Sequence, residues 1–234
     1  MTRTFVFDMD GTLYDDVPVY PAAAEAAFEI GARLAGVSRE TFAAAVKRAF
    51  DWQFSTYPEY PGVHGRFTRF QRAMEDLGKN PVLGLAVANR YWEKFLETVR
   101  PRPDAAALLA DLRARGVRIG LGTNMSADWQ LAKLERLGLG QCFDFVVSSE
   151  EAAAEKPSPA FFDMVAEKSR CERSAILFCG DNLDLDARAA KAVGMRGVWL
   201  AAGPDSKPED APDVEAVKTL GDLRGLVPEI FAKP

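Results

Sequence analysis

The chain repeatedly runs a short apolar stretch into a loop of carboxylates or hydroxyls and then into an amphipathic helix, and this alternation admits few folds. Residues 4–7 (TFVF) empty into DMDGT, 117–121 (VRIGL) into GTN, 143–147 (FDFVV) into SSE, and 175–179 (AILFC) into GDN. Residues 195–200 and 213–217 supply a fifth and a sixth strand pattern. Helical periodicity fills 104–115, 126–137, 159–168 and 184–193 between them. Strands alternating with helices predict βαβ units, hence an α/β fold with a Rossmann-like parallel sheet and helices on both faces. Ser126 is the expected N-cap of its helix, Ser158 precedes Pro159 at a first helical position, and Gly138 and Gly194 stand where helices should end.

The alternation has one interruption. From 15 to 98 the pattern is helical throughout, over 20–34, 39–52, 64–77 and 81–99, and Arg-Pro-Arg-Pro at 100–103 makes a return hinge. The expected organisation is a core of residues 1–14 and 99–234 with an all-helical domain, 15–98, inserted after the first strand. Residues 203–213 (GPDSKPEDAPD) read as an exposed loop.

Composition narrows the chemistry. A single histidine, His64, removes every scheme that needs two imidazoles, and no GxSxG elbow supplies a serine nucleophile. Cys142, Cys171 and Cys179 form no CxxC pair, which points to a reducing, cytoplasmic setting. A net charge of -5 disfavours nonspecific binding to a nucleic acid polymer. No apolar run is long enough for a membrane span, and the first residues enter a strand with no signal-peptide pattern. The chemistry must therefore come from carboxylates, hydroxyls, lysine or a hard metal.

In an open parallel sheet, ligands bind at the carboxyl ends of the strands near a topological switch point. There the first strand would deliver Asp8, Asp10, Gly11 and Thr12, the second Thr123 and Asn124, the loop after the third Lys156, and the fourth Asp181, Asn182, Asp184 and Asp186. Carboxylates brought together repel one another unless a cation sits among them, and hard oxygen donors select Mg²⁺, which keeps waters and contacts substrate phosphate. Lys156 and Thr123 would then be free to hold phosphate oxygens. A carboxylate can attack phosphorus to form an acyl phosphate while a second one protonates the leaving group. GLGTN at 120–124 lacks the third glycine of a dinucleotide fingerprint and does not follow the first strand.

The strings DMDGTLY, GTN, EKP before a helix, and GDNLDLDARAAKAVGM resemble, in order, the four motifs of the haloacid dehalogenase superfamily of phosphohydrolases. The helical insert resembles in position the C1 cap of its subfamily I. The resemblance implies that Asp8 is the nucleophile that becomes a phosphoaspartate, and that Asp10 is general acid and then base. It implies that Thr123 and Asn124 bind phosphate through a hydroxyl and an amide, and that Lys156 offsets negative charge. Asp181 would ligate Mg²⁺ with Asp8 and the main-chain carbonyl of Asp10. Asp186 would either ligate the metal or support metal and Lys156, and Asp184 would stand outside. Dehalogenase members lack an acid at the Asp10 position, because a halide leaves without a proton.

The expected activity is thus Mg²⁺-dependent hydrolysis of a small phosphomonoester metabolite, with nucleoside monophosphates and sugar phosphates among the candidates, by a monomer or homodimer. A phosphomutase of the β-phosphoglucomutase kind is the second reading, and a noncatalytic binding protein on the same fold the third. In the insert, His64, Arg66, Arg69 and Arg72 read as a solvated cationic face, with an anionic substrate as the sharper alternative. Trp52, Phe54, Tyr57 and Tyr60 read as packing before base stacking. Tyr14, Asp15 and Asp16 either touch substrate or form a turn, and Cys179 fills a buried strand position.

Overall fold

The computed structural model describes residues 3–57, 61–203 and 205–227. It divides into two compact units, Met1–Asp15 with Arg100–Pro234, and Asp16–Val99. Chain order runs β1 (Thr4–Phe7), then α1 (Val19–Ala35), α2 (Arg39–Thr56), α3 (Arg66–Asp76) and α4 (Leu83–Thr98). It continues with α5 (Ala105–Ala114), β2 (Arg118–Thr123), α6 (Ala127–Arg136), β3 (Phe145–Ser148), α7 (Ser149–Ala152) and α8 (Pro159–Ser169). The last elements are β4 (Ile176–Gly180), α9 (Ala189–Ala192), β5 (Arg196–Leu200), β6 (Glu215–Val217) and α10 (Leu223–Leu226).

The first unit is an α/β fold around a parallel sheet of order β3-β2-β1-β4-β5-β6. All four residues of β1 are buried, and because successive side chains point to opposite faces, both faces are covered. One face packs Val6, Val147 and Phe178 against Phe161, Phe162 and Val165 of α8. The rings of Phe162 and Phe178 meet edge to face at 5.3 Å. β1 pairs with β2 on one side and with β4 on the other, so the strand order reverses at its carboxyl end, and that reversal opens the crevice where ligands bind in such sheets. Phe7 stands level with Leu121 and Cys179, so Asp8 emerges between the ends of β2 and β4, and its N–H extends the ladder to the Cys179 carbonyl at 2.9 Å.

Several local details differ from the sequence reading. Ser126 sits at the N-cap of α6, yet its hydroxyl donates to Asp128 at 2.6 Å, while Glu150 and Asp128 accept the N–H groups of Ala127 and Trp129. A carboxylate is the stronger acceptor for these first-turn donors. The helix expected over 184–193 opens as a π-helical turn, Leu183–Arg188, before α9. Asn182 stands at its N-cap, where its side chain accepts from the N–H groups of Asp184 and Leu185. Ala211, within the stretch read as an exposed loop, is buried.

The second unit consists of α1 to α4 around a core that includes Phe42, Phe70, Trp92 and Phe95. His64 ends a 3₁₀ turn, and α3 begins only at Arg66, after Gly65 in an extended conformation. The arginines of α3 are not a solvated row. Arg69 is buried, donates to the Gln53 side chain at 3.2 Å and lies over the Phe50 ring at 4.6 Å. Burial, then repulsion from Arg66, pushes its guanidinium down to about 9. Arg72 lies 3.5 Å over Trp52, and Arg66 lies 5.1 Å over Tyr91, so the cations serve the aromatic packing. Trp52 meets Tyr57 and Phe54 meets His64 edge to face, while Tyr60 lies outside the described residues.

Gly197 on β5 has no room for a side chain, because a Cβ there would overlap the Ala187 carbonyl in the π-helical turn. Gly197→Ala should therefore cost about 2 kcal/mol through overpacking. A thermal melt should show Tm lower by about 4–8 °C.

Candidate active site

The site is assembled at the carboxyl ends of β1, β2 and β4 and on the loop after α7. Asp8, Thr12, Thr123, Lys156 and Asp186 are all buried there, and Asp181 is partly exposed. The Lys156 ammonium donates to Asp8 Oδ1 and to Asp186 Oδ1, each at 2.6 Å. Asn124 clamps the peptide of that lysine: its Oδ1 accepts from the Lys156 N–H at 2.9 Å, and its Nδ2 donates to the Lys156 carbonyl at 3.4 Å. The side chain of Asn124 thus positions Lys156, which leaves its main chain as the group able to meet a ligand.

Asp181 is held by Thr12, whose hydroxyl accepts from the Asp181 N–H at 3.0 Å and lies 3.2 Å from its carboxylate, and by Trp199, whose indole donates to the Asp181 carbonyl at 2.8 Å. The π-helical turn swings Asp186 inward, where Oδ2 accepts from the Asn182 N–H at 3.0 Å. Asp184 instead faces out and pairs with Arg188 at 2.8 Å. One oxygen from each of Asp8, Asp181 and Asp186 lies within 4.8 Å of the others. That is a hard, all-oxygen donor set of the kind Mg²⁺ takes.

The Asp10 carboxylate is not part of this group. Its Oδ1 accepts from Lys133 Nζ at 2.6 Å and from the Tyr14 hydroxyl, and its Oδ2 accepts from Gln130 Nε2 at 3.1 Å. Lys133, Gln130 and Tyr14 are all fully buried. Tyr14 therefore braces a carboxylate, and Asp15 lies exposed beyond it. The same Gln130 nitrogen donates to Thr123 Oγ1 at 2.9 Å. The sequence reading missed Lys133 and Gln130, although a signal was present. The i, i+3, i+4, i+7 stripe that buries α6 is Gln130, Lys133, Leu134 and Leu137, with two polar residues at core positions.

The electrostatics follow from these contacts. Burial pushes Asp8 upward; Lys156 opposes this, and the charges of Asp186, Asp181 and Asp10 add to it. Lys156 is buried too, yet Asp186 and Asp8 hold it firmly protonated. Burial works to raise Asp10, but the charge and hydrogen bond of Lys133, with Tyr14 and Gln130, outweigh it and bring Asp10 down to about 2. Burial, then the carboxylates Asp186, Asp181 and Asp8, pushes the Cys179 thiol up, so it stays an apolar filler. Four carboxylates, Asp8, Asp10, Asp181 and Asp186, face two ammonium groups, Lys133 and Lys156. The excess of two negative charges matches one divalent cation, so the residues present fit a bound Mg²⁺.

A family model described as haloacid dehalogenase-like hydrolase matches residues 2–194. The chain belongs to that family. A ribulose-1,5-bisphosphate 5-phosphatase of Halopiger xanaduensis is 33% identical to this haloacid dehalogenase-like hydrolase, over 97% of this chain and 100% of that one. A phosphoserine phosphatase of Thermus thermophilus is 31% identical over 95% and 96% of the two chains. Among solved structures, the 2-haloacid dehalogenase of Pseudomonas syringae pv. Tomato is 27% identical and superposes with a TM-score of 0.74, covering 99% of each chain. The protein is an enzyme, a haloacid dehalogenase-superfamily phosphohydrolase. Among the described residues, no helix is long and apolar enough to cross a membrane.

Lys156→Met would leave Asp8 and Asp186 facing each other without their shared cation, a loss of about 3–5 kcal/mol. Parallel melts of wild type and variant should show this difference narrowing as pH falls, because protonation of Asp8, which its burial favours, relieves the repulsion.

Proposed function

We propose that this enzyme is a Mg²⁺-dependent phosphatase that hydrolyses a small phosphomonoester through a phosphoaspartate at Asp8. The observation that carries the reading is the pairing of a buried carboxylate, Asp8, on Lys156 with a second carboxylate, Asp10, two residues on and separately held. One carboxylate can attack while the other handles the proton. A dehalogenase needs only the first, because halide leaves unprotonated. The curated relatives named above are phosphatases.

Lys156 engages Asp8 Oδ1, which leaves Oδ2 as the attacking oxygen. As the bond from Asp8 to phosphorus forms, the bond to the leaving oxygen breaks, and Asp10 gives that oxygen its proton. In the substrate-free site Asp10 is ionised, and an incoming phosphate dianion raises its proton affinity by like-charge repulsion. Asp10 then takes a proton from water, whose oxygen attacks phosphorus and releases the Asp8 carboxylate and inorganic phosphate. Thr123 and the main chain of Asn124 hold phosphoryl oxygens, and Lys156 offsets their charge. Mg²⁺ would be held by Asp8, Asp181 and the main-chain carbonyl of Asp10, with Asp186 close by, and would supply charge neutralisation at the phosphoryl oxygens.

We assign residues 16–99 the role of a helical cap that selects the leaving group. The three cysteines are free thiols, which supports a reducing compartment and a cytoplasmic setting.

The test is a phosphate-release screen over nucleoside monophosphates, sugar phosphates, ribulose bisphosphate, phosphoserine and phosphoglycolate. Activity should require Mg²⁺ and vanish with a chelator. Asp8→Asn should lower turnover by at least about a thousandfold, with an unchanged circular dichroism spectrum. Full activity in that variant sinks the assignment, and isomerised sugar phosphate without free phosphate replaces it with a mutase.

A further inference from the structure

Two polar side chains of α6 remain without a role. Lys133 is a fully buried lysine whose ammonium meets Asp10 Oδ1 at 2.6 Å. Gln130, one turn earlier on the same face, is also fully buried. Its amide nitrogen, with two hydrogens to share, lies 3.1 Å from Asp10 Oδ2, 2.9 Å from Thr123 Oγ1 and 2.8 Å from the Asn124 carbonyl oxygen. A carboxylate and a carbonyl can only accept, so these neighbours fix which end of the amide is the nitrogen. The amide oxygen is buried with no hydrogen-bond partner among the described residues. A buried lysine and a half-satisfied amide are poor choices for packing alone, since leucine or methionine would fill the same space without the desolvation cost.

We propose that Lys133 and Gln130 are the positioning pair of the phosphatase reaction, and this rests on the reading of Asp8 and Asp10 given above. Lys133 and the Tyr14 hydroxyl occupy Oδ1 of Asp10. With two donors, one of them cationic, on Oδ1, the proton handed to the leaving group falls to Oδ2, which accepts from the neutral Gln130 amide. Gln130 ties this oxygen to the Thr123 hydroxyl through one nitrogen, so the proton donor and the phosphate-holding group keep a fixed spacing while the phosphorus–oxygen bond breaks. Neither residue touches substrate; both act through Asp10 and Thr123.

Such a role has a signature that a general packing defect lacks. An alkoxide leaving group needs the proton from a well-placed Asp10, whereas p-nitrophenolate departs with little help. The experiment measures single-turnover release of the leaving group, with enzyme in excess and Mg²⁺ present, from p-nitrophenyl phosphate and from the best alkyl phosphate of the screen. Lys133→Met should slow the alkyl substrate by about a hundredfold or more and the aryl substrate by less than about fivefold. The enzyme concentration at half-maximal rate should hold for both, and Lys133→Arg should restore most of the loss. Gln130→Met, a volume-conserving change, should shift the alkyl-to-aryl ratio the same way and decides the matter if Lys133→Met does not fold. Equal loss with both substrates, or no loss with either, overturns the pair while leaving the phosphatase reading intact. An Asp8→Asn variant that still cleaves both substrates overturns the underlying reading, and the pair with it.

Discussion

The ion pairing of Lys156 with Asp8 and Asp186 is the constraint on which the rest of the first unit depends. The crevice at the end of β1 is the one place where this sheet can gather side chains from several strands, and it gathers mostly carboxylates. Without a cation among them, desolvation and mutual repulsion would work against the fold that creates the crevice. Lys156 reaches that position because Asn124 grips its peptide from the end of β2, and Asp186 because the turn after β4 is wound wide over Gly197. A sheet edge, a loop and a distorted helix thus converge on one ammonium group.

The second buried ammonium, Lys133, repeats the solution at Asp10, and keeping the two pairs separate has a chemical consequence. Asp8 and Asp10 are two residues apart in sequence, yet they are paired to different lysines and displaced in opposite directions, Asp8 upward and Asp10 down to about 2. Attack by Asp8 needs its ionised form and proton donation by Asp10 its protonated form, the reverse of these two directions; a divalent cation beside Asp8 would lower it, and a phosphate dianion beside Asp10 would raise it.

Much of this was legible from the chain, and the misses have a common cause. Buried parallel strands declare themselves as apolar runs, and the loops after them announce Asp8, Asp181 and Lys156 because polar residues at strand ends have no packing reason to cluster there. Periodicity arguments, by contrast, treat a lysine or glutamine on a helix as solvent-facing. That assumption hid Lys133 and Gln130 on the inner face of α6, and it made Arg69 look solvated although it is buried beside Gln53 and Phe50. Ser126 does stand at the N-cap of α6, but local capping rules do not know that Glu150 arrives from elsewhere in the chain to take the Ala127 N–H. Each miss is a polar group whose partner is remote in sequence.

The acidic balance of the chain can now be placed. Of the acids in the two site loops, Asp8, Asp10, Asp181 and Asp186 gather at the crevice, whereas Asp184 turns outward to Arg188 and Asp15 lies exposed. Four carboxylates against two lysines leave a deficit that one divalent cation would close, and a phosphate dianion arriving afterwards would make the site negative once more. In the proposed reaction that restored negative charge would favour a proton on Asp10 as substrate binds, against the pull of Lys133 and Gln130. The proton would then sit on Asp10 Oδ2, which the Gln130 amide links to the Thr123 hydroxyl, so charge balance and side-chain geometry would direct it to the same atom.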